Sequence, residues 1–113
     1  MNAAAFEIIA QPAPDGIFRV SLAGEFDMSV GETLAEALVG AARRPGVNAV
    51  VVDLHRTVFL DSHGVAGLVA GYEAAALAGC RFTAVNARGL VKDVLEITGL
   101  AEVLLTHDDP PAS

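Results

Sequence analysis

Residues Val47 to Leu54 read Val-Asn-Ala-Val-Val-Val-Asp-Leu, an almost continuous apolar run with four valines. A strand with one wet face alternates polar and apolar residues. A run of this kind belongs to a strand covered on both faces, which requires helices or loops above and below a sheet. The flanking segments supply the rest of such a sheet. Phe6, Ile8 and Ala10 alternate, as do Phe18, Val20 and Leu22, with Gln11 to Gly16 between them. Two alternating runs around a turn containing Pro and Asp-Gly predict an antiparallel hairpin.

Gly24 to Asp27 then reads as a polar break. From Ser29 the period becomes helical, with Val30, Leu34, Ala37, Leu38 and Ala41 on one face. Arg43 and Arg44 suit the last turn, and Pro45-Gly46 ends it. A second helical stripe runs through Val65, Leu68, Val69, Tyr72 and Ala76 and stops at Gly79. Gly67 and Gly71 weaken that helix by about 1 kcal/mol each relative to alanine, and glycines four apart allow close approach to the sheet beneath. Arg81 to Val85 reads as a strand. Leu90, Val91, Val94 and Leu95 read as a third helix ending at Gly99, and Val103 to Leu105 as a short final strand. The order β-β-α-β-α-β-α-β predicts one α/β domain over residues 1–113, with its body at about 6–105 and a mobile tail from Thr106. The sheet is small and mixed, with an N-terminal antiparallel hairpin and about three crossover helices. The loops ending at Asp27 and Ser62 are expected at the same end of it.

The formal net charge is −7, which argues against a phosphate-backbone binder and against direct nucleic-acid binding. It suits a basic protein partner. Hydrophobic residues make up 53% of the chain, enough to fold, but Glu73 and Arg81 interrupt the best candidate for a membrane span. Met1 to Phe6 lacks the features of a signal peptide. Cys80 has no partner cysteine and reads as a buried structural thiol. A cytoplasmic protein without membrane insertion is expected.

The candidate functional element is Asp61-Ser62-His63-Gly64, between Val58-Phe59-Leu60 and the second helical pattern. A hydroxyl at a helix start lies where backbone N–H groups are unpaired and the field favours negative charge. A phosphate there is tolerated by the fold while changing the surface around it, so the placement suggests a switch. The plainer alternatives are an N-cap role for Ser62, helix-start stabilisation by Asp61, a cap role for Asp27, and small size alone for Gly64. His63 is either an exposed polar residue or a partner for a phosphorylated Ser62. Phe59 and Leu60 read as core, with one of them available to face outward as an apolar anchor.

Enzyme readings find little support. Ser62 and His63 are adjacent, so their side chains diverge, and no nucleophile elbow surrounds them. Asp53, His55, His107, Asp108 and Asp109 lack metal-site spacing. No cofactor is implied, and a hydrolase using Ser62 needs a base within hydrogen-bond reach.

Gly24-Glu25-Phe26-Asp27 in one loop, Asp61-Ser62-His63-Gly64 at a helix start, and a third helix closing on Ile97-Thr98-Gly99-Leu100 resemble the STAS family over about Phe6 to Leu105. These are the sulphate-transporter and anti-sigma-factor-antagonist domains, and the likeness is to the small, free-standing bacterial antagonists. Their loop usually reads Gly-Glu-Leu-Asp and their switch Asp-Ser-Ser-Gly or Asp-Ser-X-Gly. The resemblance implies that Ser62 is phosphorylated by a serine kinase that is itself the anti-sigma factor. Binding of the unphosphorylated domain then frees a sigma factor and regulates transcription, phosphorylation breaks the complex, and a phosphatase reverses it. It further implies partner contacts at Asp27, Asp61, His63 and Gly64, and no catalytic activity. Two features depart from the pattern. His63 stands in place of the common second serine, and the tail lacks the pattern of a last helix. The alternative is a STAS subunit held constitutively in a larger complex, such as a lipid-transport ATPase, with Ser62 a structural helix cap.

Overall fold

The central strand is longer than its apolar run. In the computed structural model, which describes residues 6–27 and 30–105, it extends over Ala49–Leu60 (β3). It pairs in parallel with Ile17–Phe26 (β2) on one side and with Arg81–Val85 (β4) on the other. Phe6–Pro12 (β1) completes the sheet antiparallel to β2, with Ile8 opposite Leu22, so the strand order is β1-β2-β3-β4. This is the mixed sheet with an N-terminal hairpin that the alternating patterns predict.

Gly31–Arg43 (α1) links β2 to β3, and Ser62–Ala78 (α2) links β3 to β4. Gly89–Ile97 (α3) follows β4. Phe18, Val20, Leu22 and Phe26 of β2 face Val50, Val52, Leu54 and Leu60 of β3 in one cluster with Leu34, Leu38, Leu68, Val91 and Leu95 from the helices. Every apolar residue that the described helices bury belongs to this cluster. Ala49, Val51 and Val85, on the other side of the sheet, are buried but lie outside it.

Several expectations need correction. The expected final strand at Val103–Leu105 is mostly helix: Ala101–Leu104 (α4) forms one short turn that buries Leu104, and only Leu105 reaches the sheet, as a parallel bridge to Ala84. Gly24 to Phe26 is not a break but the end of β2.

The α2 stripe is also shifted. Tyr72 and Ala76 are exposed, and the buried face is Gly64, Gly67, Leu68, Gly71, Ala74 and Ala75. Its glycines accommodate α1 more than the sheet. A Cβ on Gly67 would lie 3.1 Å from Leu34, and one on Gly71 would lie 2.6 Å from the Leu38 Cβ and 2.9 Å from the Phe82 ring. Gly79 ends α2 at φ +72°, a left-handed conformation that suits glycine. Cys80 is buried as read, and burial pushes its thiol up from the ordinary value. The helix start at Ser29 and the tail from Thr106 fall outside the described residues.

The elongation of β2 and β3 positions the site. Two register shifts interrupt their ladder, between Ser21 and Ala23 and between Gly24 and Glu25. At the second, Gly24 pairs with Thr57 and Glu25 with Phe59, which leaves Val58 as the inserted residue. The buried Thr57 hydroxyl donates to the Leu22 carbonyl at 2.8 Å and fixes the strand between the two shifts. Pairing resumes with Phe26 opposite Leu60, so both strands deliver their last residues to the same end of the sheet.

Candidate functional site

At that end the chain turns directly from β3 into α2. Asp61 is extended (φ −101°, ψ −168°), and its Oδ1 accepts the N–H of His63 at 2.8 Å and that of Gly64 at 3.2 Å. Asp61 is therefore the N-cap, and Ser62 is the first helical residue. The cap role considered for Ser62 is thus filled by its neighbour. Both residue types cap well, and the backbone geometry decides between them. Ser62 is exposed, and among the described residues no hydrogen bond holds its hydroxyl.

The two loops interlock. The Asp61 N–H donates to the Phe26 carbonyl at 3.2 Å, which brings Asp27, the next residue, beside Asp61. Asp27 leads into α1: its carbonyl accepts the Val30 N–H at 3.0 Å, and Val30, whose side chain makes no cap hydrogen bond, holds the N-cap position. Gly64 is small for a local reason, because a Cβ there would stand 2.7 Å from the Phe26 carbonyl oxygen and 2.5 Å from Leu60. Gly31, which the sequence reading missed, performs the reciprocal service. A Cβ on it would meet the His63 Cβ and carbonyl oxygen at 2.9 Å. A glycine opening a helix is the only signal the sequence offers for that contact.

The His63 ring is half exposed, with Nδ1 3.7 Å from the Asp61 Oδ2. Desolvation pushes the Asp61 carboxyl upward, but the N–H groups of Gly64 and His63, with the His63 imidazole, outweigh it. The carboxyl is held below its ordinary value of 3.8. A lowered carboxyl contributes stability that is complete above the unfolded value and is lost as pH falls through the folded one. Asn also caps well but does not titrate. Asp61→Asn is accordingly expected to melt like the wild type at pH 7 and to show a shallower loss of Tm below about pH 4. Thermal melts from pH 7 to 2.5 test this, and a wild-type pH slope in the variant refutes it.

The chemistry available here is that of an acceptor. No carboxylate or imidazole contacts the Ser62 hydroxyl as a base among the described residues. No group of three metal-ligating side chains occurs among them either. A cleft of about 490 Å³ lies between the end of β4, α3 and α4. Its lining includes Asn86, Lys92, Glu96 and Glu102 but no serine, cysteine or histidine, and none of the four Asp61–Gly64 residues. The structure thus brings Asp27, Asp61, Ser62, His63 and Gly64 together. It leaves Asp53 apart, in a lattice with Arg19 (3.4 Å), Asn86 (3.0 Å) and the His55 N–H (2.9 Å).

A family model described as "Mlab, STAS domain" matches residues 9–106. The chain belongs to the STAS family. Solved structures agree with this domain's fold. The anti-sigma factor antagonist SpoIIAA in its unphosphorylated form superposes with a TM-score of 0.78 at 19% identity, covering 94% of this chain and 90% of that one. The Bacillus SpoIIAA in its phosphorylated form gives 0.71 at 18%, covering 94% of each. An anti-sigma factor antagonist from Mycobacterium paratuberculosis gives 0.73 at 29%, covering 91% and 86%. A sulfate transporter family protein from Wolinella succinogenes gives 0.69 at 18%, covering 83% and 75%. Among curated proteins no sequence matches. No helix among the described residues of the STAS domain is long and apolar enough to cross a membrane.

Proposed function

We propose that this STAS domain is an anti-sigma factor antagonist of the cytoplasm, a non-enzymatic protein switched off by phosphorylation of Ser62. The observation that carries the reading is the division of labour at the start of α2. Asp61 caps the helix, and the serine hydroxyl beside it is exposed and uncommitted. The unphosphorylated domain binds an anti-sigma factor that is also a serine kinase and thereby releases a sigma factor. Asp27, Asp61 and His63 form the contact surface around the switch, the buried Gly64 supports it by letting α2 start against Phe26 and Leu60, and a phosphatase resets it. Solved relatives called anti-sigma factor antagonists, one of them in both phosphorylation states, support the assignment.

The mechanism is electrostatic. A phosphate adds about −1.5 to −2 charges at pH 7. In the free domain it stands in water at the positive end of α2, whose His63 and Gly64 N–H groups Asp61 already holds, so the fold has little to oppose it. In a closed interface it loses its water beside the Asp61 carboxylate, a desolvation penalty that the free domain does not meet.

The second reading, a STAS subunit held permanently in a transporter, is favoured by the fold likeness to the sulfate transporter family protein. Paired baits separate the two. Wild type and Ser62→Asp are immobilised in lysate of the source cells, and retained proteins are read by mass spectrometry and by ATP-dependent phosphorylation of Ser62. A serine kinase held by the wild type and lost with Ser62→Asp supports the switch. A transporter ATPase held equally by both baits replaces it with the subunit reading.

A further inference from the structure

The two register shifts in the β2–β3 ladder do more than lengthen the strands. Phe26 and Leu60 pair on the side of the sheet that the helices cover, and both are buried. Glu25 and Phe59, the preceding pair, therefore lie on the opposite side, where no described helix buries an apolar residue. Phe59 is 40% exposed there, and Val58, the inserted residue, is 63% exposed. A bulge beside a functional element commonly re-aims a side chain. This one turns two apolar side chains to solvent three and four residues ahead of Ser62.

We infer that Val58 and Phe59 are an apolar anchor for the protein that modifies Ser62, so that its footprint wraps from the start of α2 onto the side of the sheet away from the described helices. The inference rests on the reading of Ser62 proposed above. The occupant is identified by charge. Glu25 is paired with Phe59 and exposed, and Asp27 and Asp61 follow the ends of the same two strands. An apolar pair within an acidic rim fits a hydrophobic pocket edged by Lys or Arg. A second copy of this chain would set one acidic rim against another, which like-charge repulsion disfavours. Arg56, exposed on the same side as Phe59, supplies one positive group to fix orientation.

Exposure alone is not the argument. Leu77 is 88% exposed, yet it lies fifteen residues along α2 from Ser62, roughly 22 Å at the rise of an α-helix. It is the natural control, since truncating it removes as much exposed apolar surface far from the switch.

The probe is the serine kinase retained by the wild-type chain and shown to phosphorylate Ser62 with ATP. Its Kd is measured by biolayer interferometry against wild type, Phe59→Ala, Phe59→Leu, Val58→Ser and Leu77→Ala, with a thermal melt of each. The expected result is a loss of about tenfold or more for Phe59→Ala, about 1.4 kcal/mol, with Val58→Ser weakened in the same direction. Phe59→Leu recovers most of the affinity and Leu77→Ala matches the wild type. Val58→Ser keeps the test valid should Phe59→Ala melt early. Wild-type Kd values for both Val58→Ser and whichever Phe59 variant folds overturn the anchor and leave the switch reading intact. Failure of the wild type to retain any Ser62-directed kinase overturns the switch reading itself, and the anchor with it.

Discussion

Phosphoserine at position 62 is expected to lower affinity for the kinase by about a hundredfold or more while moving the Tm of the free domain by no more than about 2 °C. The two halves of this result have one cause seen in two surroundings. In the free domain the phosphate projects from an exposed first-turn position, where water solvates it at the positive end of α2. Nothing in the core need move, because among the described residues the Ser62 hydroxyl makes no hydrogen bond that the modification must break. In the complex the water is gone, and the carboxylate of the preceding residue, Asp61, belongs to the same helix start. Desolvating a dianion in that setting costs several kcal/mol, and each 1.4 kcal/mol is tenfold in affinity.

The variants are ordered by the same reasoning. Ser62→Ala retains wild-type affinity and accepts no phosphate. Ser62→Asp carries one charge instead of nearly two and is expected to lose about tenfold. Calorimetry with purified kinase, on protein carrying genetically encoded phosphoserine, measures the affinities. A phosphorylated domain that binds as tightly as the unmodified one contradicts the mechanism. A Tm lowered by 10 °C would show instead that phosphorylation acts through the fold.

The sequence disclosed the parts of this molecule whose side chains are chemically loud. The valine run of β3 announces a strand buried on both faces, although the described helices pack their apolar residues on one side only; the Phe18–Val20–Leu22 alternation announces β2, and Val30, Leu34, Leu38 and Ala41 announce the inner face of α1. What stayed hidden falls into three kinds. Register shifts insert residues and break the period of two, so the ends of β2 and β3 read as loop although Phe26 and Leu60 are paired and buried. Glycine and alanine carry almost no hydropathy signal, so the true inner face of α2 was outvoted by Val69 and Tyr72. Short elements such as α4 are decided by what they touch rather than by their own period, and Leu104 buries itself by a helical turn where a strand was expected.

At the site, the motif located Asp61 and Ser62 but could not rank them as caps, because both side chains accept N–H bonds well. The extended conformation of Asp61 settles that question. Gly31 stayed unread because its contact is with residue 63, across two loops that meet only in the folded chain.

Those quiet residues carry the second large prediction, which concerns one substitution with opposite signs at two glycines. Alanine is favoured over glycine in a helix by about 1 kcal/mol, and Gly40, exposed in α1 with nothing within 4 Å of its missing Cβ, should gain that in full. At Gly71 the same methyl would stand 2.6 Å from the Leu38 Cβ and 2.9 Å from the Phe82 ring. The Leu38 Cβ is fixed to the α1 backbone and cannot rotate aside, and Phe82 is held edge-on by Tyr72 at a centroid distance of 6.3 Å. Overpacking against atoms that cannot move aside takes the upper half of the usual range, about 2–3 kcal/mol, which exceeds the helix gain.

Gly40→Ala should therefore raise the Tm by about 4 °C and Gly71→Ala lower it by about 4–8 °C, with Gly71→Val worse than either. The outcome bears on the switch, because the same α1–α2 seam sets the contact between Gly31 and His63 on which the start of α2 rests. If the helices are forced apart at Gly71, the loops at Asp27 and Asp61 should loosen, and their amide exchange should quicken in Gly71→Ala but not in Gly40→Ala. Equal gains in Tm at both positions would mean that the seam yields freely, and that the glycines of α2 do not set the spacing of the two helices.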